Sequence, residues 1–337
     1  MGTIKELISN LGIYIKTIKK YIPDAGVFKI IATIIDLFYW VKKHHILHSE
    51  YFLFGFYNLS DEEKKEYIFD WGITNVLKKF NSDEVNEIMD SKYLFNKNFS
   101  EYLARDYEYI SKLECDYQKI SAFINKHPKF MVKPLSFSGG YGIHDADLSG
   151  TDLSSKTIGE FIKSEFERND EFLIEEFLTQ HPDMAALNPD SINTCRVVTM
   201  RDRNGVVHVV FANVRVGRTG GCIDNFCAGG VTAAIDVKTG IVSSDAFDIE
   251  CKTYAEHPDT KIKFIGYQIP CWDTVIETVC SACNKFPGAR LIGWDVCIMP
   301  NGKVAFIEAN HRPGARIHQI PAKKGLKHVY REYLGDF

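Results

Sequence analysis

Polar and apolar positions alternate in two different ways along this chain. Through residues 1–90 the pattern predicts mostly helix. Ser60-Asp-Glu-Glu63 has the spacing of a capping box, in which a serine and a glutamate three residues later satisfy each other's backbone N–H groups. Asn81-Ser-Asp-Glu84 reads as another helix start. The stretch Ile30–Val41 is almost wholly apolar but is interrupted by Asp36 and is too short to span a bilayer. It predicts a buried or amphipathic helix. Peripheral membrane contact is the lesser alternative, raised by the flanking Lys29, Lys42 and Lys43.

Near Lys129 the pattern changes to strands. Phe130–Pro134 reads as a short strand, Leu135–Gly142 as a small-residue loop, and Ile143-His144 as the start of the returning strand. Thr157 is expected to cap a helix with Glu160 at its third position, and Phe172–Leu178 is the next strand. Beyond Asn193, strands are expected over Thr194–Met200, Val206–Val216 and Gly230–Asp236. A helix over Trp272–Lys285 leads into a hairpin, and a helical tail starts near His318. The sum is an α+β chain: a helical N-terminal region, then antiparallel sheets. No strand carries G-x-G-x-x-G into a helix, so the order is not that of a dinucleotide-binding fold.

With 337 residues there is room for two or three subdomains, and 45% hydrophobic with 25% charged residues describes a globular chain. A net charge of -4 leaves no electrostatic footprint for nucleic acid. The N-terminus has no signal-peptide pattern, and nine cysteines without framework spacing suit a reducing, cytoplasmic setting. Cys280-Ser-Ala-Cys283 lacks a second pair at zinc spacing and reads as structural.

Several constellations can carry chemistry. In the hairpin Gly293–Asn310, a two-residue Asn301-Gly302 turn puts Asp295 opposite Glu308, with Asn310 further along on the same face. Opposed carboxylates repel, and a cation between them removes that cost. Such hard oxygen ligands suit Mg²⁺. The alternative is an ordinary hairpin with a solvated acidic end. Lys133 followed by Gly139, Gly140 and Gly142 is either a polyphosphate clamp or a plain turn; it is not a Walker A loop. Glu175-Glu176 closes an apolar strand, where one carboxylate can accept from a ribose hydroxyl or simply meet solvent. Asn193 and Arg196 enter a largely apolar strand, and Arg196 there needs an anionic partner, a carboxylate or a phosphate. Arg215 is a similar case. Asp224–Gly230 ends in two glycines that suit close approach to a ligand or a bulge. Arg312, just past Asn310, places a cation where a carboxylate or acyl phosphate can dock.

Taken in order, Lys133, the glycine-rich loop, Glu175-Glu176, Asn193 with Arg196, Asp295, and Glu308-x-Asn310 resemble the ATP-grasp superfamily, and more narrowly its sugar-transfer-associated branch. Tyr51, Leu59–Glu63 and Lys92–Phe95 match stretches of that branch, and the likeness covers roughly residues 45–330. It implies two antiparallel β subdomains sandwiching ATP, divided as a helical region 1–90, a small subdomain 91–185 and a large subdomain 186–337. It implies that Lys92 and Lys133 contact phosphates, with Ser138 to Gly142 closing over them. Glu175, Glu176, Phe177 and Leu178 become the adenine and ribose hinge, and His181 either touches ribose or caps its loop. Asp295, Glu308 and Asn310 hold one or two Mg²⁺, with Mn²⁺ as a substitute, and Arg196 faces the transferred phosphoryl group.

The implied reaction is ATP-dependent carboxylate–amine ligation through an acyl phosphate, on an amino acid, peptide or sugar acid in polysaccharide or secondary-metabolite biosynthesis. The other readings are a small-molecule kinase of the same fold and a non-catalytic nucleotide-binding partner of a glycosyltransferase. Such chemistry rests on positioning and charge neutralisation, in keeping with a sequence that lacks a nucleophile elbow. One departure stands out. The helical first 90 residues take the place of the α/β subdomain with which many such ligases bind the carboxylate.

Overall fold

The computed structural model describes residues 4–69, 76–77, 79–136, 141–218, 229–250 and 252–335, with side chains from residue 11 onward. They form two compact units, one from residues 1–77 with 314–337, the other from 78–313.

The first unit is helical. α1 (Ile4–Tyr21), α2 (Val27–His44), α3 (His48–Leu53) and α4 (Asp61–Lys65) surround the fully buried Leu37, Trp40, Tyr51 and Phe56. The Ser60 box is formed: Ser60 N donates to Glu63 Oε2 at 2.7 Å, and Glu63 N donates to Ser60 Oγ at 3.3 Å. The apolar stretch around Ile30–Val41 is the helix α2; it buries Thr33, Leu37 and Trp40, while Ile31 and Ile35 stay exposed. The helical tail, expected from His318, begins with Arg316–Ala322 and continues with Lys327–Leu334. It belongs to this unit. Gln319 is fully buried: its Oε1 accepts from Ile68 N at 2.8 Å and its Nε2 donates to Ile68 O at 2.9 Å. Lys327 N donates to Glu66 O at 2.9 Å.

The second unit begins with three short helices, α5 (Asp83–Asp90), α6 (Lys92–Asn98) and α7 (Ser100–Leu103). A four-stranded sheet follows, built from β1 (Tyr107–Ser111), β2 (Lys129–Pro134), β3 (His144–Asp147) and β4 (Glu171–Glu176) in the order β1-β4-β2-β3. α8 (Tyr117–Lys126) and α9 (Ser155–Phe166) pack on it around Phe123, Phe130, Ile158 and Phe172. After α10 (Pro182–Leu187) come β5 (Thr194–Arg201), β6 (Val207–Val216), β7 (Val231–Ala234), β8 (Ala246–Phe247), β9 (Thr253–Tyr254), α11 (Trp272–Asn284), β10 (Leu291–Ile298) and β11 (Val304–Asn310). Their sheet runs β11-β10-β5-β6-β7-β8-β9. Among the described residues every pairing in both sheets is antiparallel.

Three local expectations change. Ser154, not Thr157, caps α9, because its hydroxyl accepts from Thr157 N. β1 and the helices between Lys92 and Lys126 have no counterpart in the sequence reading. The third change concerns the hairpin. Its loop has three residues, not two: Met299 N donates to Lys303 O at 2.8 Å and Gly302 N donates to Met299 O at 2.9 Å. Gly302 sits at φ +77, which a side chain would strain. The pairs are then Ile298 with Val304 and Val296 with Phe306, one residue out of the expected register. A bulge at Ile307 restores it, so Asp295 does face Glu308 and Gly293 faces Asn310. Cys283 is buried, its thiol pKa raised by burial, and its Sγ donates to Ala289 O at 3.4 Å, in keeping with a structural role.

Candidate functional site

Strand alternation aims the first group of side chains. On β2, Phe130 and Val132 point into the helix-packed core, so Met131 and Lys133 point the other way. That opposite face is one wall of a cavity of about 430 Å³. The segment leaving β4, from Glu175 to Gln180, forms a second wall, and Ile192, Thr194 and Ile307 close it. The lining is mostly apolar with a few convergent polar groups, the usual character of a small-molecule pocket. Ile307 is the bulge residue, so the irregularity that resets the hairpin register also turns a side chain toward this space.

Glu175 is not the solvated strand end that its position suggested. It is 2% exposed and surrounded by donors: Lys133 Nζ at 2.5 Å, Arg105 Nε at 2.8 Å and Asn96 Nδ2 at 2.8 Å. Burial alone would raise its pKa. The Arg105 and Lys133 cations overcome that and hold the carboxyl well below the usual range. Arg105 also donates to Phe306 O at 2.5 Å and Leu103 O at 3.2 Å, so it links β4 of one sheet to β11 of the other. Neither Arg105 nor Asn96 figured in the sequence reading. Each is a single polar residue in an unremarkable stretch, and only its burial marks it.

Lys92 opens α6. Its Nζ donates to Pro134 O at 3.0 Å, and burial lowers its pKa in a field shared with Glu308, Lys133 and Glu175. Lys92 is thus within electrostatic reach of both Lys133 and the hairpin carboxylate Glu308. Gly142 lies at φ +76, a backbone state that favours glycine. Ser138, Gly139 and Gly140 lie outside the described residues, as does Asp224–Cys227 with its neighbours.

The second group forms a row across three strands. Arg196 on β5 pairs with Asp295 on β10, which pairs with Glu308 on β11. Paired residues share a face, so the three side chains meet. Arg196 forms a two-pronged pair with Asp295, through Nε to Oδ1 and through Nη2 to Oδ2 at 2.7 Å, and Arg215 Nη1 reaches Oδ2 at 2.7 Å. Of the two partners considered for Arg196, a carboxylate is thus present. Asp295 is buried, which would raise its pKa, but the two arginines hold it well below the carboxylate range. Glu308 is open to solvent yet crowded by protein; burial and then the Asp295 charge raise its pKa. Asn310 Nδ2 lies 3.3 Å from Glu308 Oε1. Gly293 lets this row form: a Cβ there would sit 2.8 Å from Pro313 Cβ and 3.2 Å from Arg196 Cδ.

Three further expected site residues have structural partners. Asn193 is fully buried, and its Nδ2 donates to Met184 O and Asn188 O, both at 2.7 Å, so it ties the connection between β4 and β5. His181 caps α10, its Nδ1 accepting from Asp183 N at 3.2 Å, which is the capping alternative. Arg312 is partly exposed, with Nη2 3.7 Å from Asp90 Oδ1 on α5.

A family model described as sugar-transfer associated ATP-grasp matches residues 73–333. No curated protein matches the sequence. Among solved structures, the chain is similar to the ATP-grasp ligase PsnB complexed with minimal precursor, Mg and ADP, at 15% identity and TM-score 0.42, covering 72% of this chain and 56% of that one. It is also similar to the D-alanyl-alanine synthetase A from Vibrio cholerae, at 12% identity and TM-score 0.44, covering 74% of this chain and 62% of that one. A third similarity is to an ADP complex of purK, an N5-carboxyaminoimidazole ribonucleotide synthetase, at 8% identity and TM-score 0.45, covering 79% and 58%. The aligned region therefore spans little more than half the length of these chains.

Proposed function

The chain belongs to the sugar-transfer-associated ATP-grasp family, and on that premise we propose that it is an ATP- and Mg²⁺-dependent ligase joining a carboxylate to an amine. The observation that carries this reading is the convergence of two groups: the apolar cavity edged by Lys133, and the Arg196–Asp295–Glu308 row with Asn310 beside it.

The residues fit the partners. A mostly apolar cavity lined by Glu176, Phe177 and Leu178 suits a flat heteroaromatic base, with the backbone of the same segment available for its edge. Lys133 and Lys92 supply compact cations for phosphate oxygens. Two carboxylates and an amide oxygen form a hard donor set for Mg²⁺ or Mn²⁺. When bound, such a cation screens the repulsion between a polyphosphate and a carboxylate. Arg196 and Arg215 then have two duties: they hold Asp295 in place, and they present guanidinium charge toward the transferred group. We assign the phosphate and base contacts to residues 91–185 and the metal ligands to 186–337.

Within this reading a carboxylate oxygen of the substrate takes the terminal phosphoryl group of ATP and ADP leaves. The amine then attacks the acyl carbon and phosphate departs, leaving an amide. The chain's part is to position and neutralise charge, with no side-chain nucleophile. The carboxylate is an amino acid, a peptide or a sugar acid.

The test is a screen of carboxylate and amine pairs read by phosphate release, with mass spectrometry of the products. Phosphate release that requires both substrates, and a hydroxamate when hydroxylamine replaces the amine, support ligation. A stable phosphorylated product without free phosphate makes the chain a kinase. ATP binding with no turnover on any pair makes it a binding module.

A further inference from the structure

α2 has two apolar faces. One is buried in the helical core. The other looks outward: Phe28 is 90% exposed, Ile31 50% and Ile35 65%. Steps of three and four residues put them in one row. The row continues through the half-exposed Phe38 and ends at Lys42, with Lys43 beside it, while Lys29 stands at its start. On α1, Leu11 and Ile13 are also exposed, with Lys16, Lys19 and Lys20 near them in sequence. A run of large exposed side chains of this kind marks a contact surface rather than ordinary scattered exposure.

Charge identifies the occupant. Residues 11–48 hold six lysines against two aspartates, in a chain whose net charge is -4. One of those aspartates is already engaged: Asp36 Oδ2 accepts from Lys64 Nζ at 2.7 Å and from Tyr51 at 2.5 Å. Positive charge is therefore concentrated around the apolar row while the remainder of the chain is acidic. A second copy of the chain is a poor match. Under a twofold axis, antiparallel packing of α2 on itself sets Lys29 toward Lys42 and Lys43, and parallel packing sets each lysine against its equivalent. Among the described residues, no helix is long and apolar enough to cross a membrane. A helix with an apolar row and basic ends suits the plane of a membrane surface.

We propose that the exposed face of α2, with α1 beside it in sequence, docks on an anionic lipid bilayer, with Phe28, Ile31 and Ile35 entering the interface and the lysines meeting the headgroups. Apolar insertion and headgroup attraction act together in such binding, and salt screens the second.

The full chain is tested by flotation with phosphatidylcholine vesicles, with and without phosphatidylglycerol, at low and high salt. The wild type is expected to float with the anionic vesicles and to do so less in high salt. Phe28→Glu with Ile35→Glu, and separately Lys42→Gln with Lys43→Gln, are expected to weaken partitioning by about tenfold or more. Both variants are checked for a wild-type thermal transition, so that loss of binding is not loss of fold. Failure of the wild type to bind anionic vesicles overturns the proposal, as does equal binding to both vesicle types. A wild type that self-associates by sedimentation velocity, with a monomeric Phe28→Glu/Ile35→Glu variant and no flotation, assigns the face to a second copy instead.

Discussion

Replacing Arg105 by methionine removes one of the two cations beside a carboxylate that is 2% exposed. Breaking a buried ion pair by removing one partner typically costs about 3–5 kcal/mol, because the remaining charge is left uncompensated. Two details shift that figure. Lys133 at 2.5 Å and Asn96 at 2.8 Å still reach Glu175, which lowers the cost. The backbone oxygens of Phe306 and Leu103 lose a charged donor, which adds to it. The net expectation is about 3 kcal/mol. In a unit of this size that corresponds to a fall of roughly 6–12 °C in the transition temperature. Calorimetry of Arg105→Met, Glu175→Gln and the double variant measures both the cost and its origin. The two sites should couple by about 2 kcal/mol, since neighbours in one polar network are not additive. If Arg105→Met costs less than about 1 kcal/mol, or the two changes add to within about 0.5 kcal/mol, then Arg105 does not hold Glu175 and this account of the cavity wall is wrong.

Glu308→Ala is expected to abolish turnover while ATP affinity is partly retained; near wild-type turnover would remove Glu308 from the metal set. Because burial and Asp295 raise the Glu308 pKa, Mg²⁺ affinity measured by titration calorimetry should begin to weaken on acidification at a higher pH than an ordinary carboxylate would impose, and affinity held down to the ordinary carboxylate range would contradict this. Gly293→Ala puts a Cβ 2.8 Å from Pro313 Cβ and 3.2 Å from Arg196 Cδ; it should cost about 1–3 kcal/mol in urea unfolding and lower kcat more than it changes KM for ATP. Glu175 has a depressed pKa, so its stabilising contribution is complete above the ordinary carboxylate value near ~4 and is lost as pH falls below it toward the folded value. Glu175→Gln should accordingly flatten the acid limb of a stability-versus-pH curve, and an unchanged limb would contradict this.

The elements that were legible in the sequence are those with local causes. The Ser60 box, the strand containing Lys133 and the helix α2 each follow from residues within a few positions of one another. The opposition of Asp295 and Glu308 was legible for a different reason than the one that produces it. The loop is one residue longer than Asn301-Gly302 alone suggests, and the bulge at Ile307 compensates. Periodicity sees neither irregularity, because each hides the other. The environment of Glu175 was not legible. Its partners Arg105 and Asn96 lie 70 and 79 residues away, and nothing in their own neighbourhoods signals burial. Asn193 and His181 show another limit: the amide nitrogen of one and the Nδ1 of the other are tied to nearby backbone groups, which their positions in the sequence do not reveal.

The return of the C-terminal helices to residues 66–68 has a consequence for biosynthesis. Residues 78–313 form a unit whose own parts emerge consecutively, so it has everything it needs while the chain is still being made. The helical unit does not. Its first 77 residues appear before any of the sheets, but the carboxamide that seals the backbone of Ile68 belongs to Gln319, and the donor to Glu66 O belongs to Lys327. The earlier helical segment therefore waits for one made some 240 residues later, and a chain stalled or clipped near residue 314 would keep its sheets while losing these closing bonds of its helices.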